Sequence, residues 1–548
     1  MANPSLQIGN SNWAIKEDNL LGYSTAGTRF VPQPITMTRA SAGTRVNSSG
    51  LVETVELLGS ELVDCGDFSC AVPLDYWTES GLASIGGGVA SFVDDGTGVN
   101  SYIQQDILTA GKIYKVSFDV TRYVEGRLQV VMGSTAYSTD ITSGVDTYTF
   151  YLEAISTGIF RLKRQGGYDF DFDIDNVSVK ESTKNNLARV DYDGTASSLL
   201  VEPQRTNNIQ YSEDFTQSYW RKDKVTVTAN SIISPSGQLN ASLIQETVYT
   251  SSLPSFDLSG VITLSAGTYT YTFYVKNNNG RYLGISFGSS GERVRTNFDF
   301  TTNTFKTLIF SGTTTGTASF TTLGDFYRIT ITATFPSSTS ADTVLMPLAT
   351  DTYPFYAFQD SDNRSFYLWG AQLEIGSYPT SYIPTDGSTV TRVQDQYSKT
   401  GISNLINSEE GVLFVEMAAL ENVNDDERTV SLSDGTNVNT IRLQFNTLNN
   451  NVRVFVGNGV TQVNSNITIS DITVFNKFAF KYKQNDFALW INGSEVITDT
   501  SGNTFAAGTL NKLGFVRGDN TEYLFGKVKQ LQVFKTALTD SELATLTT

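Results

Sequence analysis

Apolar and polar side chains alternate with a period of two along much of this chain. Val116-Ser117-Phe118-Asp119-Val120 is the clearest run. Tyr168 through Ile174, Tyr327 through Ala333, Val452 through Val456 and Phe478 through Tyr482 repeat it. Successive side chains of a strand point to opposite faces, so these runs predict half-buried strands. Gly, Asn and Asp cluster between them as turn residues. Helical spacing is scarce. Thr539-Asp540-Ser541-Glu542 has capping-box spacing ahead of Leu543 and Leu546 and predicts a short C-terminal helix. Trp13 through Leu21 predicts a second one.

An internal repeat organises the pattern. One copy opens with Leu62, Asp67-Phe68 and Tyr76-Trp77, and a second with Ile209, Asp214-Phe215 and Tyr219-Trp220. Leu108 to Gly111 and Leu264 to Gly267 each precede a strand-like run. The copies close on Phe172 to Val179 and Phe366 to Leu373, where Phe172 matches Phe366, Ile174 Leu368, Val177 Ala371 and Val179 Leu373. Matches in the same order argue for duplication of one all-β unit, its first and last segments side by side as at a sandwich edge.

The polar-aliphatic flanks of the first copy, Thr38 to Val55 and Asn186 to Thr206, are expected to pair with each other around an inserted sandwich. Prolines and an Asp-Gly turn after Tyr378 read as a linker. From about Lys399 a third β unit begins, with Asn492-Gly493 as a type I′ hairpin signal. The expected division is 1–56 as N-terminal docking segment and start of a scaffold, and 57–182 as an inserted jelly roll. Then follow 183–207 as return of the scaffold, 208–385 as a second jelly roll, 386–398 as linker and 399–548 as a lectin-like sandwich. The fold class is all-β.

Composition narrows the function. The chain has 548 residues, 39% of them apolar, enough for real cores. It has no histidine, which excludes Ser-His-Asp and Cys-His catalysis and zinc-His sites. A net charge of −18 without a basic stripe argues against nucleic acid. No apolar stretch is long enough to span a membrane, and the start lacks the n- and h-regions of a secretory signal. Cys65 and Cys70 are open to a local disulfide, but two unpaired structural thiols is the reading taken.

Three segments resemble a module of tailed-phage structural proteins found in head fibres or spikes and tail fibres: "AGTRVNSSGLVETV" from Ala42, "LLVEPQRTNNIQYSEDFTQSYW" from Leu199 and "WGAQLEIGSYPTSYIPTDGSTVTRV" from Trp369. The repeated units resemble carbohydrate-binding-module jelly rolls. The C-terminal third, with "ALWINGSEV" and "GKVKQLQVFKTALTDSELATL", is similar to concanavalin/laminin-G-like domains. The resemblance implies a non-enzymatic virion-surface fibre or spike that displays glycan-binding folds. It implies docking to other virion proteins through about Met1 to Pro34, and a homo-oligomer, with a trimer as the usual fibre arrangement. The alternatives are a purely structural head decoration or tail adaptor, and a polysaccharide depolymerase. No spacing picks out the two carboxylates that glycoside hydrolysis needs.

In calcium-binding modules of the jelly-roll kind, an opening-strand acid and a closing-strand Asp hold a structural Ca²⁺. Asp67 and Asp175 occupy those places here. Ser69 after Phe68, and Trp369 in place of Asp175 in the second copy, depart from the pattern, so turn-capping carboxylates are the competing account. Asp169, Asp171 and Asp173 share one strand face, expected to be solvated. Trp77, Trp220, Trp369 and Trp490 are read as core in preference to sugar-stacking platforms. Asn485, Asp486, Trp490 and Asn492 are the candidate ligand residues of the third unit, with hairpin-turn chemistry as the competing account.

Overall fold

A computed structural model describes residues 1–548 other than 11, 12, 14, 17, 18, 27, 28, 140, 143, 248–253, 352–362 and 423–426. The protein is all-β, with one α-helix among the described residues, and its strands build several sandwiches. Glu56–Lys184 forms one compact unit. Met1–Val55 and Asn185–Thr548 form the other.

In Glu56–Lys184 the five-stranded sheet runs Thr78–Ser80, Tyr102–Leu108, Gly158–Arg164, Leu128–Met132, Thr135–Thr139. The second sheet runs Ala83–Gly86, Val89–Val93, Asp171–Thr183, Ile113–Glu125, Asp146–Glu153. Alternation decides which side chains meet between them: Tyr114, Val116, Phe118 and Val120 are all buried. Tyr168 to Phe170 precede the strand expected from Tyr168, which starts at Asp171.

The second copy repeats this order. Trp220–Asp223, Ser255–Leu258, Thr339–Leu348, Tyr282–Gly288 and Arg293–Asp299 form one sheet. Val225–Ile233, Leu239–Glu246, Ser365–Ile375, Gly267–Asn279 and Phe326–Phe335 form the other, extended by Thr315–Leu323. Even the irregularities coincide. The register slips between Ser117 and Asp119 against Ser178 and Asp175, and again between Thr272 and Tyr274 against Gln372 and Trp369. Each bulge carries a left-handed residue, Asn176 at φ 52° and Gly370 at φ 65°. First and last segments do lie side by side. Leu62 N–H donates to Val179 O and Gly66 O accepts from Val177, as Asn208 donates to Leu373 and Ser212 accepts from Ala371.

The third sandwich has a different make-up from the expected one. Its strands are not confined to 399–548. Leu6–Gly9 pairs with Gly526–Phe534, and Ala196–Val201 continues along the same edge. Arg29–Thr38 pairs with Gln396–Lys399, which pairs with Lys512–Gly514. Leu6, Ile8, Leu20, Met37 and Leu199 are buried in one core with Leu413, Phe480 and Val533. Part of the segment named as the docking candidate, Leu6–Gly9 and Arg29–Thr38, is thus a member of this sandwich. Trp13 to Leu21 is no helix: Ile15–Lys16 and Asn19–Ala26 are strands, because ladder partners override a weak local pattern. The expected linker is part of the sheets in places: Val390–Arg392 pairs with Arg205–Asn207, and Arg392, Asp395 and Tyr397 are buried while 386–391 are exposed. The flanks do not form a ladder together. Thr44–Val46 pairs with Val52–Thr54, and Arg189–Asp193 with Ala196–Val201. Side chains join them: Val46 N–H donates to Asp191 Oδ1 at 2.9 Å, and Arg45 to Val190 O at 3.2 Å.

At this junction lies a buried ionic cluster. Arg39, Arg189 and Arg392 are 0–1% exposed. Asp395 accepts from Arg39 at 2.7 Å and from Arg189, and Glu202 accepts from Arg189 at 2.6 Å and lies 3.0 Å from Arg392. Burial raises the pKa of Asp395 and Glu202, but the facing guanidiniums outweigh it and hold both below the usual carboxylate range. The C-terminal helix Asp540–Thr547 carries the expected capping box from Thr539 and Glu542.

Candidate functional site

The sandwich of Glu56–Lys184 offers one open sheet face. Cross-strand register puts Ser80, Tyr102, Lys163 and Gln129 in one row, and Thr78, Gln104, Arg161 and Val131 in the next. Their neighbours Ile103, Leu162 and Val130 point into the core, so a period of two sends these outward. The Arg161 guanidinium lies over the Tyr102 ring, 4.0 Å from its centroid. Its Nε and NH2 donate to Gln104 Oε1 at 2.9 and 2.6 Å. Beyond that row, Arg127 lies over the exposed Tyr168 at 4.8 Å. Among the described residues no carboxylate pairs with Arg127, Arg161 or Lys163. The face joins rigid rings, amides and unneutralised cations, the groups that stack on a sugar ring, bond its hydroxyls and attract its carboxylate.

The predicted metal pair has other partners. Asp67 accepts from Ser69 N–H at 3.2 Å and from Ser69 Oγ at 2.8 Å, and these bonds hold its carboxyl below the usual range. Asp214 makes the same turn with Thr216 in the second copy. Asp175 accepts from Asn176 N–H at 2.6 Å. Among the described residues no group of three or more His, Cys, Asp and Glu side chains comes together that could hold a metal ion. Two carboxylates of the acidic face are bridged and not simply solvated: Arg122 pairs with Asp171 at 2.6 Å and with Asp173 at 2.7 Å, while Asp169 is exposed. Cys65 and Cys70 form a disulfide, which corrects the free-thiol reading. The loop brings their Cα atoms to 5.9 Å, inside bonding reach.

The four tryptophans are buried, as read. Trp77 and Trp220 each donate an indole N–H at 3.0 Å to a backbone carbonyl, of Cys65 and Tyr211. Trp490 packs between Val412, Phe414, Phe534 and Leu543 under the helix, so it is no open platform. Asn485 and Asn492 take positive φ in turns at opposite ends of Phe487–Ile491, roughly 20 Å apart at about 3.3 Å per residue. Asn492 accepts from Lys477 N–H and donates to Asn476, while Asp486 pairs with Lys481 at 2.7 Å. They therefore do not converge on one site. The signal for Tyr102, Gln104, Arg161 and Lys163 was present as two alternating runs, but only cross-strand register places those runs together.

With the geometry in hand, known proteins add one family. Residues 418–544 match the concanavalin A-like lectin/glucanases superfamily, so the C-terminal sandwich is a concanavalin A-like domain. No curated protein matches the chain at a significant level. Solved structures with some likeness include the CBM40 of a Ruminococcus gnavus IT-sialidase (17% identity, 26% of this chain and 84% of that one, TM-score 0.23). The CBM22-1–CBM22-2 tandem of Paenibacillus barcinonensis Xyn10C is another (10% identity, 58% and 98%, TM-score 0.21). A Trypanosoma rangeli sialidase is a third (8% identity, 99% and 93%, TM-score 0.21).

Proposed function

We propose that the protein is a non-enzymatic adhesin of a virion surface, a fibre or spike whose sandwiches bind anionic glycans. The observation that carries the glycan reading is the open face of Tyr102, Gln104, Gln129, Arg161 and Lys163, cationic in a chain of net charge −18. The lectin-type family match at 418–544 supports it. The virion assignment rests on the resemblance of the segments from Ala42, Leu199 and Trp369 to phage fibre modules. A shallow face buries little area, so each site is weak and several copies on one particle supply avidity.

A glycan array with the intact chain tests the reading. Binding to uronate-, sialate- or sulfate-bearing glycans is expected, weakening as salt rises because the cations are solvent-facing. Arg161→Ala with Lys163→Ala should abolish it. Binding to neutral glycans alone, or to none, overturns the reading.

A further inference from the structure

A second site lies in the unit Met1–Val55 with Asn185–Thr548. A cleft of about 350 Å³ opens between the Thr44–Val52 hairpin, the outward face of the second jelly roll and the concanavalin A-like sandwich. Cross-strand register places Trp369, Tyr274, Arg328 and Thr321 in one row on that outward face. Most charges lining the cleft are already matched. Arg45 pairs with Glu53 at 2.8 Å, Lys527 with Asp191 at 2.8 Å, and Glu202 with Arg189 and Arg392.

Arg328 is the exception. It forms no ion pair among the described residues. One amino group donates to Thr380 O at 2.5 Å, and its Nε is buried without a partner. The guanidinium sits 5.6 Å from the Tyr274 ring centroid. Tyr274 is 4% exposed and lines the cleft, and its hydroxyl has no hydrogen-bond partner among the described residues. Behind the wall, Arg39, Arg189 and Arg392 face Asp395 and Glu202, and the buried Glu374 acts on Arg392 through the Thr380 hydroxyl. Burial, with the neighbouring Arg189, lowers the Arg392 pKa against the pull of Glu202, Asp395 and Glu374.

A half-buried guanidinium with a buried Nε unpartnered and no carboxylate, beside a hydroxyl without an acceptor, favours a polar occupant with negative charge. We infer that the cleft binds a small oxyanion, with Arg328 as its charge partner and the Tyr274 hydroxyl as a second donor. Inorganic phosphate and the carboxylate of a monosaccharide acid both have this chemistry. The inference is independent of the open face described above.

The test is hydrogen exchange of the full chain, read at Phe326–Phe335 and at residues 378–382, with inorganic phosphate, glucuronate or glucose. Protection by phosphate or by glucuronate, and not by glucose, is expected. Protection by phosphate alone assigns a free ion, and protection by glucuronate assigns a sugar acid. Arg328→Gln should abolish it. Tyr274→Phe, which keeps the ring packing, should weaken affinity roughly 2- to 10-fold, the worth of one hydrogen bond. Arg161→Ala should leave it unchanged. No protection by either anion, equal protection by glucose, or protection that survives both Arg328→Gln and Tyr274→Phe overturns the inference.

Discussion

Removing the Asp395 carboxylate should unlock the junction that joins four stretches of chain. Its oxygens accept from Arg39 NH1 at 2.7 Å, from Arg189 NH2, and from Glu202 N–H at 2.9 Å. All three residues are almost fully buried. Hydrogen bonds to a charged group are worth about 1.5–3 kcal/mol each, so about 5–9 kcal/mol is at stake in gross terms. Burying the carboxylate costs several kcal/mol, which its removal returns. The net cost of Asp395→Ala is then about 3–5 kcal/mol, the range for breaking a buried pair and stranding its partner charges. Urea unfolding measures it, since a salt denaturant would itself screen the charges. Hydrogen exchange at Arg189–Asp193 and Gln396–Lys399 locates it. The cost should persist at high salt, because buried pairs are screened little. A loss below about 1 kcal/mol, the worth of an exposed pair, would refute the reasoning.

Further expectations concern acid, base and local staples. Asp395 and Glu202 have depressed carboxyl pKa values in the folded state, so they stabilise the fold above the ordinary carboxylate range. That stability drains as pH falls below about 4, and acid titration of the same exchange segments should show them opening first. Glu522 behaves oppositely. Burial, then the neighbouring Glu427, raise its pKa to about 7, so stability is full below 4.5 and is lost as pH rises through about 7. Urea unfolding on either side of pH 7 should show this dependence, and Glu522→Gln should flatten it. Replacing Cys65 and Cys70 by Ser should destabilise Glu56–Lys184 by roughly 2 kcal/mol, the closure entropy of so short a loop. Trp77 fluorescence reports it, because the indole bonds Cys65 O. Deleting Met1 to Gly9 exposes the partners of Leu6 and Ile8 and should cost about 3–6 kcal/mol, at about 1.5–3 kcal/mol per buried aliphatic side chain. Unchanged exchange protection of Gly526–Phe534 would refute that.

Local rules gave the sequence real authority over this protein. Alternation at Val116 to Val120 or Phe478 to Tyr482 names the strands, since a side-chain period of two permits little else once one face is buried. The capping box at Thr539 and the Asn492-Gly493 turn are likewise set within a few residues. The duplication was legible because both copies must fill the same core positions.

What the sequence could not fix is which distant segments meet. Leu6–Gly9 finds Gly526–Phe534 across the whole chain, and Arg39, Arg189, Glu202, Arg392 and Asp395 assemble from strands and loops far apart in sequence. Tyr102 lies beneath Arg161, and Tyr274 beside Arg328, only because strands pair in one register. Backbone ladders are nearly indifferent to residue type, so a strand's neighbour is chosen by the packing of whole faces, and that exists only in the folded chain.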